Sequence, residues 1–64
     1  MKINTKRIWE GMVEKQMCRK QVCEAAQITE LGFAQLMKRG SCMPTTAGKI
    51  AKALEIPASE IVAE

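Results

Sequence analysis

The sequence predicts an all-α protein, a compact bundle of five short helices that forms a single domain over residues 1–64. Apolar residues recur along the chain at the three- and four-residue spacing that is typical of amphipathic helices. No segment shows the alternation of apolar and polar residues that indicates a half-buried strand. Glycine, proline and small polar residues interrupt the helical pattern about every ten to twelve residues, which predicts short helices joined by tight turns.

The composition indicates a globular domain of modest stability. Hydrophobic residues make up 47% of the chain, too large a share for a disordered tail. A chain of this length buries only about 60% of the surface that it exposes when unfolded. Because the chain has five methionines but only Trp9 and Phe33 as aromatic residues, we expect an adaptable core or one that a partner completes.

The first helix is expected to follow a cap at Asn4 or Thr5 and to run to about Lys15. Trp9 lies next to the inner face of this helix, and we expect it to pack at the edge of the core. An exposed Trp9 would instead indicate a surface that contacts a partner. The residues expected to face inward are Ile8, Met12 and Val13.

Two further helices are predicted in the centre of the chain, joined by a turn of three residues. The second helix is expected to run from Cys18 or Arg19 to Ala26, and the third from a cap at Thr29 to about Lys38. Both helices need their apolar faces turned toward the first, fourth and fifth helices. The inward-facing residues are expected to be Val22, Cys23, Ala26, Phe33, Leu36 and Met37.

The last two helices follow a loop over residues 39–44. Thr45 or Thr46 is expected to cap the fourth helix, and Pro57 separates it from a short fifth helix over about 58–63. The apolar residues that these two helices present are Ala47, Ile50, Ala51, Leu54, Ile61 and Val62.

The charge of the chain is unevenly distributed. All ten basic residues lie in residues 1–54 together with four glutamates, which gives this part a net charge of +6. The last ten residues carry three glutamates and no basic residue. Between Glu30 and Glu55 there is no acidic residue, although Lys38, Arg39, Lys49 and Lys52 all lie there. A basic zone of this kind suits a polyanionic partner such as a nucleic acid.

The residue types argue against an enzyme. The chain contains no His, Asp or Tyr, and it has neither a phosphate-binding loop nor the glycine pattern of a dinucleotide-binding site. Cys18, Cys23 and Cys42 form no Cys-x-x-Cys pair, so we expect reduced thiols and no zinc site. Neither a metal nor a cofactor is therefore predicted.

The sequence shows no sign of export or of membrane insertion. Its first residues lack the apolar stretch of a signal peptide, and no apolar run exceeds about four residues. We therefore expect a cytoplasmic protein that does not interact with a membrane.

Four segments of the chain resemble the lambda-repressor-like helix-turn-helix proteins, the Cro/cI or XRE family. They are NTKRI at residues 4–8, VCEAAQIT at 22–29, PTTAGKIAKAL at 44–54 and IPASEIV at 56–62. Taken together they cover most of the chain, and the last two are the most specific. The resemblance implies a helix-turn-helix at about residues 18–38 whose second helix enters the major groove of duplex DNA.

The resemblance also implies which residues contact DNA. The opening residues of the third helix would read base edges, since Gln35 can bond adenine, Glu30 can accept from the cytosine amino group and Leu31 can touch a thymine methyl. Glu30 has an alternative role as a helix-dipole partner, and Leu31 an alternative role in a protein interface. The residues assigned to phosphate contacts are Cys18, Arg19, Lys38, Arg39, Ser41, Cys42, Thr45 and Thr46.

Several residues depart from the pattern of the family. Arg19 stands at the start of the second helix, where the family usually has Gln. The replacement favours phosphate binding but removes an amide that often supports a base-reading side chain. Gln27 stands where the family usually has Gly, so we expect a left-handed conformation at some cost. Met12 and Met37 stand where the family often has an Arg–Glu pair that links the first and third helices, so apolar packing replaces that ion pair. Gly32 lies inside the third helix, where it either permits close approach to DNA or softens the helix.

The predicted function is sequence-specific binding of double-stranded DNA by a small transcriptional regulator, a repressor acting as a homodimer at least on DNA. Its two reading helices would enter successive major grooves about 34 Å apart. The contact between the copies would come from the fifth helix, with Ile61 and Val62, or from the surface around Trp9. The alternative is a protein-interaction module on the same fold, with Leu31, Phe33 and Trp9 near an apolar docking surface.

Overall fold

Five α-helices follow one another in the computed structural model, which describes residues 1–63. The all-α fold class and the number of helices predicted from the sequence are thus confirmed, and the radius of gyration of 10.0 Å is that of a compact chain. No helix in these 63 residues combines the length and the apolar character needed to cross a bilayer. The helices are α1 (Thr5–Lys15), α2 (Arg19–Ala26), α3 (Glu30–Arg39), α4 (Pro44–Leu54) and α5 (Ala58–Ile61).

Two of the expected helix caps are present as hydrogen bonds. Asn4, rather than Thr5, caps α1, because its Oδ1 accepts a hydrogen bond from the Arg7 amide at 3.1 Å. Thr29 caps α3 in the same way, with Oγ1 3.0 Å from the Gly32 amide nitrogen. Each side chain satisfies a backbone donor that has no partner within the first turn of its helix.

The expected start of the fourth helix is wrong by two or three residues. α4 begins at Pro44 with Met43 at the N-cap position, so Thr45 and Thr46 lie in the first turn instead of capping it. Proline suits the first helical position because it has no N–H to satisfy and its φ is already helical. Both threonines nevertheless remain at the N-terminal end of the helix, where the unpaired amides lie.

Three helices end on a residue other than glycine in the left-handed conformation. Gln16, Gln27 and Glu55 have φ values of 55°, 59° and 57°, and the N–H of each bonds to carbonyls of the preceding helix. The left-handed conformation predicted for Gln27 is therefore confirmed. Side chains with a Cβ adopt this conformation at a cost of about 1 kcal/mol, which glycine avoids.

Replacing Gln27 by glycine is expected to raise the free energy of unfolding by up to about 1 kcal/mol, because the left-handed cap then carries no Cβ. Ala25→Gly is the matched control, since Ala25 is exposed in the last turn of α2 with helical geometry. That change should lower stability by about 1 kcal/mol. Urea denaturation of both variants measures the effect, and a loss of stability in Gln27→Gly would contradict the interpretation.

The core consists of apolar side chains from all five helices and from the segment before α1. α4 lies at its centre and packs against α1, α2 and α5, while α3 packs principally against α2. Among the described residues, no polar or charged residue belongs to the buried class. Met37 is only partly buried, but it packs against the core as the sequence predicted. The buried residues are Ile3, Ile8, Met12, Val22, Cys23, Ala26, Phe33, Leu36, Ala47, Ile50, Ala51, Leu54 and Ile61.

The expected inner face of α1 is partly wrong. Val13 is 74% exposed and Trp9 is 54% exposed, so neither packs into the core. Gly11 occupies the buried face instead, where a Cβ would lie only 3.3 Å from Leu54 Cδ1. Because Gly11 carries no side chain, α1 and α4 approach each other closely at this point. The buried residues of α1 are Ile8, Gly11 and Met12.

A short extended segment at residues 1–4 was not predicted from the sequence. It forms isolated antiparallel bridges with the α3–α4 loop, at Lys2–Ser41, and with the segment after α5, at Ile3–Val62. The fifth helix is therefore shorter than expected, since residues 62 and 63 pair with this segment instead of continuing α5. Ile61 is fully buried, which contradicts its expected role in contacting a second copy.

Exposed ion pairs connect α1 to the C-terminal half of the chain. Arg7 Nε lies 2.6 Å from Glu60 Oε1, and its Nη1 lies 2.8 Å from Glu14 Oε1. The hydrogen bond to Glu60 has the larger effect on the pKa of Arg7, and together with the bond to Glu14 it raises that pKa. Lys15 donates to the Glu55 carboxylate and thereby lowers the pKa of Glu55. Exposed pairs of this kind contribute little to stability, so the apolar core is the main stabilising feature.

Candidate nucleic-acid interface

The residues predicted to read bases lie on the exposed face of α3. Glu30, Leu31 and Gln35 are all exposed, and Leu31 is 70% accessible to solvent. The opposite face of the helix is held by Phe33, which is 1% exposed, and by Leu36. α3 is thus anchored by apolar side chains on one face, and its other face is not covered by any residue of the described chain.

A cleft of about 220 Å³ lies between α3 and the start of α4. Five predicted site residues from α3, the loop and α4 meet there, so the fold brings together residues that are up to eleven positions apart in the sequence. Ile28, in the turn before α3, also lines the cleft, although the sequence analysis did not assign it to the site. Its only signal was an apolar side chain inside a turn. The lining residues are Ile28, Gly32, Gln35, Leu36, Arg39, Ser41, Cys42 and Thr46.

The two phosphate candidates at the start of α2 lie outside this cleft. Cys18 is the exposed N-cap residue of α2, and its amide donates to Gln21 Oε1 at 2.8 Å. Arg19 is exposed too, and its Nε lies 3.7 Å from Glu30 Oε1. This pair places the first residue of α2 beside the first residue of α3. A cation therefore lies next to the end of α3 at which base reading is predicted to begin.

The remaining phosphate candidates lie at the two helix ends that border the α3–α4 loop. Lys38 and Arg39 form the last turn of α3, and Thr45 and Thr46 lie in the first turn of α4. Lys38 and Thr45 are exposed but do not line the cleft. A helix N-terminus directs unpaired amides outward and favours anions, and α4 presents such an end next to Arg39.

The basic zone of the sequence is a solvated surface in the structure. Its four cationic residues, from the last turn of α3 and from α4, are all exposed. Within residues 1–63, none of the four forms an ion pair. Their charge is therefore not neutralised by the protein itself and is available to an anionic partner. The four residues are Lys38, Arg39, Lys49 and Lys52.

None of the three cysteines forms a disulfide within the described chain, and two of them are shielded. Burial raises the pKa of the Cys23 thiol, which lies 3.8 Å from the Thr29 carbonyl oxygen as a weak donor. Burial also raises the pKa of Cys42 in the cleft. Both are therefore protonated thiols at neutral pH, and Cys42 offers a phosphate only a weak S–H donor, since its backbone N–H donates to Met1 O at 3.0 Å. No group of acidic, Cys or His residues within 1–63 could hold a metal ion.

The N-terminal cap of α3 accounts for the absence of a side chain at Gly32. A Cβ at this position would lie 2.9 Å from Thr29 Oγ1, the atom that caps α3. A side chain would therefore push the capping hydroxyl away from the Gly32 amide. The absence of a side chain also leaves the cleft open beside Gln35. The structure thus gives Gly32 a local role at the start of α3.

Comparisons of the chain with protein-family models, with curated proteins and with solved structures find no match. The resemblance to the lambda-repressor-like family accordingly stays a prediction. The candidate interface rests on the exposure, the charge and the spatial grouping of its own residues.

Proposed function

We propose that this protein binds double-stranded DNA sequence-specifically as a small transcriptional repressor of the lambda-repressor-like helix-turn-helix class, acting in the cytoplasm. The observation that carries the proposal is the exposed face of α3, which is anchored from behind by Phe33 and has Arg19 at one end and the cleft with Arg39, Ser41 and Thr46 at the other. No catalytic role is proposed for any residue.

The dimensions of α3 suit the major groove. A helix of ten residues is about 15 Å long, and its diameter of roughly 10–12 Å matches a groove about 12 Å wide. In that position Gln35 would bond adenine, Glu30 would accept from cytosine and Leu31 would contact a thymine methyl. Each such contact discriminates by roughly 1–3 kcal/mol against the wrong base.

Phosphate contacts on both flanks would set the orientation of α3 in the groove. Arg19 would bind one strand from the start of α2. Arg39, Ser41 and Thr46 would bind the other strand from the cleft, with the N-terminal amides of α4. These contacts supply affinity without sequence preference, so the two kinds of residue can be separated by experiment.

Selection of bound sites from a pool of random duplexes tests the proposal most directly. A sequence-specific dimer is expected to enrich a palindrome whose half-sites are about one helical turn apart. Enrichment of no motif, combined with no measurable affinity for duplex DNA at low salt, would contradict DNA binding as the function of this protein.

Substitution of Arg19 and of Gln35 should have different consequences. Arg19→Ala is expected to weaken binding to every duplex alike, whereas Gln35→Ala should relax the preference at one base position by roughly 1–3 kcal/mol. Affinities for the selected site and for its single-base variants measure both effects. Lys6→Ala, an exposed lysine on α1, serves as the control for loss of charge. Equal losses on all sequences from Arg19→Ala and Gln35→Ala would remove Gln35 from the base-reading residues.

A second copy of the chain is part of the proposal, because one small domain makes few base contacts. Ile61 is buried, and Val62 is only partly exposed and pairs with Ile3, so we assign the contact to the surface around Trp9 and Val13 on α1. These two residues, one turn apart, border a shallow groove that continues through Met17 to Arg19. An exposed tryptophan next to an exposed valine is typical of a contact surface.

Trp9→Lys is expected to abolish cooperative binding to a palindromic site and to lower the affinity for that site about ten-fold or more. The reason is that the two bound copies then no longer contact each other through α1. Binding to a single half-site should be unchanged. Titrations on full and half sites measure the difference, with Lys6→Ala as a control on the same helix. Unaltered cooperativity in Trp9→Lys would exclude α1 from the dimer contact.

The exposure of Trp9 also favours the second candidate function, a protein-interaction module. Phe33 cannot contribute to its docking surface as the sequence analysis expected, because Phe33 is 1% exposed. Trp9 and Leu31 remain accessible. An absence of affinity for duplex DNA even at low salt would favour this function over DNA binding.

A further inference from the structure

Residues 1–4 form backbone hydrogen bonds along both of their edges. On one edge they pair with residues 40–42 of the α3–α4 loop, and on the other with residues 61–63 after α5. The bonds to the loop are Ile3 N–H to Gly40 O at 2.9 Å, Cys42 N–H to Met1 O at 3.0 Å and the Met1 amino group to Cys42 O at 3.0 Å. The bonds to the C-terminal segment are Asn4 N–H to Ile61 O at 2.6 Å and Ala63 N–H to Lys2 O at 3.1 Å.

The segment is also fixed by its side chains and by the helix that follows. Ile3 is 5% exposed and belongs to the core, whereas Asn4 caps α1 through its side chain. The segment is therefore anchored to the centre of the domain and is not a loose arm. A loop that is bonded to it acquires a defined position relative to the core.

The loop held in this way lies between the two helix ends of the candidate interface. α3 packs principally against α2 and ends at Arg39, after which Gly40 adopts a left-handed conformation with φ 74°. Gly40 O, the first carbonyl beyond the helix, is the acceptor for Ile3. Ser41 and Cys42 line the cleft together with Arg39. The pairing therefore connects the C-terminal end of α3 and the start of α4 to the core.

We infer that residues 1–4 are a positioning element of the DNA-binding surface, which holds the α3–α4 loop in the arrangement that contacts phosphate. The effect on DNA affinity rests on the proposed function, but the effect on the loop does not. Preorganisation of a contact loop improves affinity because the loop need not be ordered on binding. The free energy needed to order the backbone of one residue corresponds to about a ten-fold change in a dissociation constant.

Two matched pairs of variants test this inference. Ile3→Pro removes the N–H that donates to Gly40, whereas Ile3→Ala retains it and loses most of the same side chain. Cys42→Pro and Cys42→Ala make the same comparison from the loop. Amide hydrogen exchange of the free protein is read at Cys42 in the first pair and at Ile3 in the second. The Ile56 amide, which donates to Ala51 O at the end of α4, serves as a reference outside residues 1–4 and the loop.

We expect each proline variant to exchange the reporting amide at least ten-fold faster than its alanine partner, with the Ile56 amide equally protected in both. We also expect the proline variants to bind duplex DNA about ten-fold more weakly than their alanine partners. Equal exchange within a pair would overturn the inference. Faster exchange with equal DNA affinity would also overturn it, because the loop would then be held without benefit to binding.

The test separates this inference from the proposed function. If the unaltered protein has no affinity for duplex DNA, the proposed function fails, and the exchange measurements still decide whether residues 1–4 hold the loop. If Ile3→Pro does not fold, the Cys42 pair decides the question, since its alteration leaves the buried Ile3 side chain in place.

Discussion

Replacing Phe33 by alanine is expected to remove about 3–5 kcal/mol from the free energy of unfolding. Phe33 is 1% exposed, is the only aromatic side chain in the core and anchors the face of α3 opposite to the candidate interface. Its removal leaves a cavity that the neighbouring helices cannot fill without moving. Because a domain of this size has only modest stability to lose, the variant should be largely unfolded at room temperature.

Leu31→Ala is the matched control, since Leu31 lies on the same helix and is 70% exposed. Its effect on stability should stay within about 0.5 kcal/mol. Urea denaturation followed by circular dichroism measures both variants. If Phe33→Ala unfolded at the same urea concentration as the unaltered protein, α3 would not be anchored in the way the structure indicates.

An increase in salt from 50 to 200 mM is expected to weaken binding to random duplex DNA by about 10³-fold. Three cationic side chains are assigned to phosphate in one copy, Arg19, Lys38 and Arg39, and a dimer presents both sets. Each phosphate that is neutralised releases condensed counterions, so six contacts predict a slope of about −5 in log K against log salt. This is the largest change in affinity expected for the protein.

Arg39→Ala should reduce the magnitude of that slope by about 2 in a dimer, because one contact is lost from each copy. Lys15→Ala is a control for net charge, since Lys15 forms an ion pair with Glu55 on another part of the surface. Fluorescence anisotropy with labelled duplex measures the slopes. A slope close to zero in the unaltered protein would show that phosphate contacts do not drive binding.

The five helices could be predicted because local signals determine where most of them begin and end. The side chains of Asn4 and Thr29 accept hydrogen bonds from backbone amides three positions further along the chain, and Gln27 ends its helix within the expected turn. The inner faces of α2, α3 and α4 also agree with the helical spacing of their apolar residues. Each of these features depends on residues that are close in sequence.

The face of α1 could not be predicted correctly because a glycine occupies it. The apolar spacing suggested Ile8, Met12 and Val13, but the helix turns Gly11 toward Leu54 and so turns Val13 outward. Gly11 carries no apolar side chain and therefore leaves no signal in the hydrophobic pattern. Only the close approach of α4 shows that it belongs to the core.

The pairing of residues 1–4 could not be predicted either. Its hydrogen bonds join backbone groups roughly 40 and 60 positions apart, and they leave little side-chain alternation in so short a segment. The candidate site shares this difficulty, because the cleft depends on how the α3–α4 loop is placed. The sequence and the resemblance indicated which residues could belong to the site. Only the fold shows which of them lie together in the cleft.

The close pair of Arg19 and Glu30 has a consequence for how the protein would search a genome. A carboxylate at the leading edge of α3 is repelled by every phosphate and is accepted only where a base donates a hydrogen to it. On the proposed complex, Arg19 screens that repulsion while the protein moves along arbitrary DNA, at the N···O separation of 3.7 Å seen here. With that repulsion screened, Glu30 would hinder the search little, and its contribution to specificity would come from the hydrogen bond that it accepts at the correct base.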